Sequence, residues 1–278
     1  MSAFGPDMPL VADLAPGVRR LLAPNPSMMT GPGTNTYLFG QDQVAVLDPG
    51  PMMESHIERI QEIAGAPISF VMVTHTHPDH SPAAVELART TGAELLGRPP
   101  PDGQHQDMTF APDRILDDGD QISIDGVEVE VIHTPGHASN HVCYLHSKLN
   151  WVFTGDHVID GSTVVIDPPD GNMKHYLESL VKVRQLRPAA LVPGHGEIIH
   201  DPDRAIDWIV EHRLQREAKV AKALGENPGL TSMELVPHVY QDVDKKLYGW
   251  AERSLLAHLL KLEDDEAALQ SDGRWAGV

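Results

Sequence analysis

"THTHPDH", residues 74–80, sets three histidines and an aspartate directly after the apolar run "ISFVMV" (68–73). The run reads as a buried strand, so His75, His77 and Asp79 leave the sheet at period two. In an extended chain that spacing points side chains the same way. Pro78 and Pro82 disfavour helix before Ser81, and His80 falls on the other side. Two imidazoles therefore reach one point, while a carboxylate and a third imidazole reach a neighbouring one. The arrangement suits two adjacent metal ions, and two ions need further ligands.

Three later strand ends offer them. "HTPGHASNH" (133–141) presents His137 after a Pro-Gly turn, and "WVFTGDH" (151–157) presents Asp156 where an apolar strand ends. "LVPGHGEI" (191–198) presents His195 between glycines, which let the backbone turn tightly.

The elements that carry these residues are legible around them. "NTYLFG" (35–40) and "QVAVLDPG" (43–50) read as a hairpin, and "ISIDGVEVEVIHT" (122–134) as a second one about Asp125-Gly126. Helices are expected at 53–64, at 82–91 with Pro82 in its first turn, and near 173–186 with Asn172 as N-cap. Strands in two groups with intervening helices predict sheet packed on sheet with helices outside.

Beyond residue 200 the texture changes. Apolar residues at 206, 209, 210, 214, 218, 220, 221 and 224 keep a helical period. Thr231 with Glu234 forms a capping-box pattern before a short helix, and "SLLAHLLKLEDDEAAL" (254–269) reads as a third helix. The expected division is a catalytic domain over 1–202 and a small helical domain over 203–278, with the long helix as connector. Its spacing resembles a winged-helix module. The segment is net acidic, and "SMELVPHVYQD" (232–242) has no Lys or Arg, so strong DNA binding is not expected.

With 278 residues, 41% hydrophobic and 22% charged, the chain has the composition of a globular protein. Its formal net charge of −19 repels polyanions at long range. The N-terminus lacks the basic and apolar regions of a signal peptide, and no apolar run matches a membrane helix, so a cytoplasmic location without membrane contact is expected. Cys143, the single cysteine, reads as a buried small hydrophobe. Met28, Met29, Met52 and Met53 read as hydrophobic filler. His133 is expected to pack on its strand. His56, His105, His146, His175, His200, His212, His238 and His258 are expected on surfaces or helix faces.

The H-x-H-x-D-H run with the later His, Asp and His in order resembles the metallo-β-lactamase-fold hydrolases over about residues 15–200. The resemblance implies an α+β fold, a four-layer αβ/βα sandwich, here with the small C-terminal winged-helix-like domain. Carried over residue by residue, it implies a first zinc on His75, His77 and His137. A second would sit on Asp79, His80 and His195, with Asp156 bridging. Asp48 in "LDPG" matches an aspartate beneath the site that orients a ligand imidazole. Imidazole and carboxylate ligands suit two Zn²⁺, and also admit Mn or Fe. Two such ions activate a bridging water, and the resulting hydroxide attacks the substrate while the metals stabilise the oxyanion. Asp79 is the candidate to orient the nucleophile, with His141 and His157 as candidates for substrate or proton-transfer roles.

Departures narrow the branches of the family. Asp156 stands where many β-lactamases carry Cys or Ser, and His77 stands where flavodiiron proteins carry Glu. The interval from Asp156 to His195 is too short for the inserted domain of the large nucleases. Glyoxalase-II-like thioesterases and the β-lactamase-like-protein-2 group remain. "GPGTNTYLFG" (31–40), "GDHVIDGSTVVIDPPDGNMKHYLESL" (155–180), "PGHGEIIHDP" (193–202), "EHRLQRE" (211–217) and "LLAHLLKLEDDEAA" (255–268) resemble the latter, which includes endoribonucleases. The 161–174 loop supplies Ser162, Thr163 and Lys174 as candidate substrate contacts. The leading expectation is a dinuclear-zinc phosphodiesterase acting on single-stranded RNA. A glyoxalase-II-like thioesterase or other small-molecule ester or lactam hydrolase is the alternative, and a DNA-binding regulator a third. The oligomeric state is left open.

Overall fold

The computed structural model describes residues 8–278 apart from residues 104 and 242. The first sheet follows chain order: β1 (Val11–Ala15), β2 (Val18–Leu22), β3 (Asn35–Phe39), β4 (Val44–Leu47), β5 (Ile68–Met72), β6 (Glu94–Gly97) and β7 (Arg114–Ile115). Its first four strands are antiparallel and the rest parallel. Parallel strands need crossovers, supplied between β4, β5 and β6 by α1 (Glu54–Ala64) and α2 (Pro82–Thr91).

The second sheet contains β8 (Gln121–Ile124), β9 (Val127–His133), β10 (Val142–His146), β11 (Trp151–Gly155) and β12 (Ala190–Pro193), with β8 and β12 at its edges. The β8–β9 turn places Asp125 and Gly126 at φ 49° and 74°, the left-handed pair that a two-residue hairpin demands. α3 (Met173–Gln185) crosses from β11 to its parallel partner β12, and the Asn172 side chain caps it by accepting the His175 N–H at 2.9 Å.

Period-two alternation gives each sheet two apolar faces. In β4, Val44 and Val46 join the core under α1 and α2, while Ala45 and Leu47 face the other sheet. In β10, Val142 and Tyr144 face the first sheet, while Cys143 faces α3. The result is the expected helix–sheet–sheet–helix sandwich. Cys143 is fully buried, and burial pushes its thiol up to about 12.

α4 (Pro202–Glu226) belongs to two cores. Ile206 and Ile209 pack with α3, while Val220, Ala223 and Leu224 pack with α5 (Ser232–Val239) and α6 (Tyr248–Asp264). The Thr231–Glu234 capping box is present. The expected third helix stops at Asp264, and its expected last two residues, Ala268 and Leu269, instead open β13 (Ala268–Ser271), paired antiparallel with β14 (Arg274–Gly277). An acidic run opposes the helix dipole at that end. Asp272 and Gly273, at φ 50° and 74°, form the hairpin turn that carries Trp275 into the core. Among the described residues no helix is long and apolar enough to cross a membrane.

Several side-chain placements differ from expectation. Met28, Met29 and Met52 are exposed rather than core filler, because they lie in loops at strand ends that no layer covers. His146 is buried at the end of β10, with its ring 6.2 Å from that of Phe39. His56 and His258 lie on helices as read, but on buried faces.

His56 gives the fold a pH dependence. Its Nε2 lies 3.0 Å from Thr36 Oγ1, whose own proton goes to the Asp48 carbonyl, so the imidazole donates. Burial holds its pKa down to about 4. The stability contributed by the neutral ring is complete above the unfolded value near ~6.5 and is lost as pH falls towards about 4. His56→Gln should therefore flatten the acid side of the stability curve by up to ~1.4 kcal/mol per pH unit. Urea midpoints at pH 7, 6 and 5 check this, and parallel slopes for the two proteins would refute it.

Candidate metal centre

The predicted ligands come from both sheets. His75, His77, Asp79 and His80 follow β5, and Asp48 follows β4. His137 lies between β9 and β10, Asp156 follows β11, and His195 follows β12. Three groups of ligand atoms converge: His75–His77–His137, Asp79–His80–His195, and His75–His80–Asp156. Each straddles the two sheets.

Hydrogen bonds fix which nitrogen of each ring faces inward. Thr74 Oγ1 donates to Asp48 Oδ2 at 2.8 Å, so the His75 Nδ1 at 2.9 Å donates to Thr74 and its Nε2 carries a lone pair. His137 Nδ1 donates to the Val165 carbonyl at 2.7 Å, which leaves its Nε2 a lone pair too. Both lone pairs lie 2.9 Å from His77 Nδ1. A point approached by two lone pairs and a third ring nitrogen suits a cation.

In the second group, His195 Nδ1 donates to the Gly33 carbonyl at 3.1 Å. Its Nε2 faces Asp79 Oδ2 at 3.2 Å and Asp156 Oδ1 at 3.3 Å. His80 Nδ1 donates to Asp48 Oδ2 at 3.0 Å. His80 Nε2 and Asp156 Oδ1 are buried without a hydrogen-bond partner, although they face each other at 3.4 Å. Such groups cost free energy unless something completes them. The donor set therefore fits metal ions: imidazoles with inward nitrogens beside carboxylates.

The electrostatics divide along the same line. Burial, then neighbouring imidazoles, holds His75 well below the usual range and His77 down to about 3. Burial also opposes charge on His80 and His195, but carboxylates override it. Asp79 and Asp156 lift His80 well above its ordinary value, and Asp156 with Asp79 lifts His195 to about 10. Burial disfavours the Asp79 anion, yet His80 and His195 hold its pKa down to about 2. The carboxylate side of the site thus calls for positive charge.

Local backbone makes these positions reachable. Gly136 has φ 142°, and a Cβ there would come 2.3 Å from Tyr176 Cα, so only glycine lets the His137 turn seat against α3. A Cβ on Gly194 would come 2.8 Å from His80 Cε1 and 2.9 Å from Asp156 Oδ1. Asp48 sits at φ 49°, tolerable for aspartate, and also accepts the Thr74 N–H at 2.7 Å.

Other predicted residues fare differently. His141 and His157 are fully buried and do not line the cavity over the clusters, so substrate contact is not available to them. His141 is bonded to Thr134 Oγ1 at 2.9 Å and stands behind His75, with ring centroids 5.0 Å apart. Burial lowers His157 to about 3. Lys174 lies 4.0 Å from Asp265 and away from the cavity, whereas Ser162 and Thr163 line it. His133 ends β9, bonded to the Ser139 carbonyl at 3.0 Å.

The cavity measures about 540 Å³. Met28, Met29, Ile159, Val164, Val165 and Trp250 give it apolar walls above the polar floor. Sequence reasoning missed this wall, because Trp250 and Arg253 come from α6, far along the chain. It also missed Asn35, whose Nδ2 donates to the Pro193 and Gly196 carbonyls at 3.0 and 2.9 Å and so braces the His195 turn. The "GTNTY" stretch holds the only signal, a small polar run leading into a buried strand.

Residues 29–195 match the family model for the metallo-beta-lactamase superfamily. The chain belongs to that superfamily. It is thus a metal-dependent hydrolase by family, and residues 231–275 match the beta-lactamase associated winged helix domain. The superfamily relatives include "Beta-lactamase-like protein 2 homolog" of Drosophila melanogaster, 30% identical over 93% of this chain and 91% of that protein. "Atrochrysone carboxyl ACP thioesterase" of Aspergillus fumigatus is 30% identical over 79% of this chain and 68% of its own length. A beta-lactamase domain protein from Burkholderia ambifaria has the same fold, with a TM-score of 0.82 at 23% identity, covering 96% of this chain and 93% of that one.

Proposed function

We propose that this metallo-beta-lactamase superfamily member is a dinuclear zinc enzyme that hydrolyses acyl thioesters. The observation that carries the reading is the cavity itself: apolar walls over a metal-ligand floor, with little positive charge. Among the described residues lining it, Arg253 is the one Lys or Arg. It is 3.0 Å from Asp167 and stacks over the Trp250 ring at 5.2 Å, so its charge is already engaged. Asp79, Asp156, Asp167 and Asp170 also line the space. A nucleic-acid backbone would need cations along its path, whereas an apolar acyl group needs only the walls. The relative named a thioesterase supports the same reading. Single-stranded RNA, the leading expectation from sequence, finds less support in this lining.

His75, His77 and His137 would hold one ion, and Asp79, His80 and His195 the other, with Asp156 facing both. The chemistry such ions supply is Lewis acidity, which activates a water and polarises the thioester carbonyl. Asp79 lines the cavity, and its carboxylate would orient that water by accepting a hydrogen bond from it. The apolar walls hold the acyl group over the floor and exclude bulk water. The thiolate leaves without needing a proton, since a thiol pKa is about 8.5.

The test is metal analysis followed by a substrate panel: acetyl and bulky apolar acyl thioesters, S-lactoylglutathione, fluorogenic single-stranded RNA, bis-p-nitrophenyl phosphate and nitrocefin. Two zinc ions per chain and thioester turnover that rises with the apolar acyl group are expected, and His77→Ala should lose one of the ions and the turnover. RNA cleavage without thioester turnover would overturn the substrate, and full activity in His77→Ala would overturn the metal mechanism.

A further inference from the structure

The segment Val164–Val165–Ile166 belongs to no strand, yet it sets the orientation of a candidate ligand. Its Val165 carbonyl accepts the His137 Nδ1–H at 2.7 Å. A metal-binding imidazole is aimed by whatever its other nitrogen meets, so the segment's position matters at the centre. The carbonyl one residue earlier, that of Val164, is held from the side of α4. There it accepts a hydrogen bond from Nη2 of Arg213.

Arg213 is an unusual residue to find in this place. It lies on α4, 4% exposed, with its guanidinium 5.5 Å from the Tyr176 ring centroid. Tyr176 in turn donates its hydroxyl to the His157 carbonyl at 2.9 Å, and its backbone seats the Gly136 turn that precedes His137. Burying a cation is costly unless a specific geometry needs it, and here the guanidinium reaches both supports of one imidazole. It also sits between the α4 residues that pack on α3 and those that pack in the winged-helix core.

We propose that Arg213 is a positioning residue for His137, acting through the Val164–Val165 segment, and that the helix leading into the winged-helix domain is thereby part of the metal site. The inference rests on the metal-binding half of the proposed function and not on the substrate. In Arg213→Met the Val164 carbonyl loses its donor and the segment its anchor. His137 then loses its fixed acceptor, while His80 and His195 keep theirs, the Asp48 carboxylate and the Gly33 carbonyl.

The experiment titrates zinc into the metal-free full chain against chromogenic chelators, in wild type, R213M and R213K, with circular dichroism as the check on folding. Exchange of the His137 Nδ1 proton is followed in ¹⁵N-histidine-labelled protein. R213M is expected to weaken one of the two zinc sites by ~10–100-fold, to leave the other within about twofold, and to speed exchange of the His137 proton. R213K, which keeps one donor, should fall between. Unchanged affinities, or equal weakening of both sites, would overturn the inference. Should R213M fail to fold, R213K decides by the same criteria. A wild-type chain that binds no zinc would instead overturn the metal centre itself, so the two failures are distinct.

Discussion

Replacing Asp156 by asparagine is expected to abolish turnover almost completely while leaving the fold intact. The Asp156 carboxylate faces both halves of the centre: Oδ1 lies 3.4 Å from His80 Nε2 and 3.3 Å from His195 Nε2, and Oδ2 lies 3.8 Å from His137 Nε2. Burial disfavours its anion, but His195 and His80 hold its pKa well below the usual range. An amide of the same shape keeps the packing and removes the charge that both ligand groups share. Losing several kcal/mol of charge stabilisation corresponds to ~10³-fold in rate. Zinc content and thioester kcat/KM, measured on protein with a wild-type circular-dichroism spectrum, decide the matter. Two zinc ions per chain and a rate within tenfold of wild type would rule the role out.

The second large effect is expected at Asp48, and it falls on stability. Its carboxylate takes the Thr74 N–H, the Thr74 hydroxyl and His80 Nδ1, all buried. Asp48→Ala leaves those donors without an acceptor, a cost of about 3–5 kcal/mol. Alanine is also strained at φ 49°. Asparagine tolerates that backbone as well as aspartate does, so Asp48→Asn isolates the charge from the strain. The expected order of urea midpoints is wild type, D48N, then D48A, with zinc affinity falling in the same order. A D48A protein as stable as wild type would refute the assignment.

What was legible in the sequence had a local cause. Period-two spacing after a buried strand puts His75 and His77 in one group, whereas Asp79 joins His80 in a second group from the turn over 78–80. Asp125-Gly126, Asn172 and Thr231–Glu234 signal turns and caps within a few residues of themselves. Asp272-Gly273 carried the same kind of signal, but the apolar period of α6 ran into it and hid the final hairpin. The cavity wall had no local cause. Trp250 and Arg253 meet Met28 and Met29 only because α6 folds back over the sandwich. The burial of His141 and His157 follows from packing between β9, β10, β11 and α3, which a run of single residues cannot express.

Each convergent ligand group takes members from both sheets, so the centre lies across the seam of the sandwich rather than on either half. An ion held there acts as a rivet. Neither sheet can unravel without releasing it, and the free energy of binding becomes resistance of the whole sandwich to unfolding. The loaded chain should therefore withstand more urea than the metal-free one, by a margin that grows with the concentration of free ion.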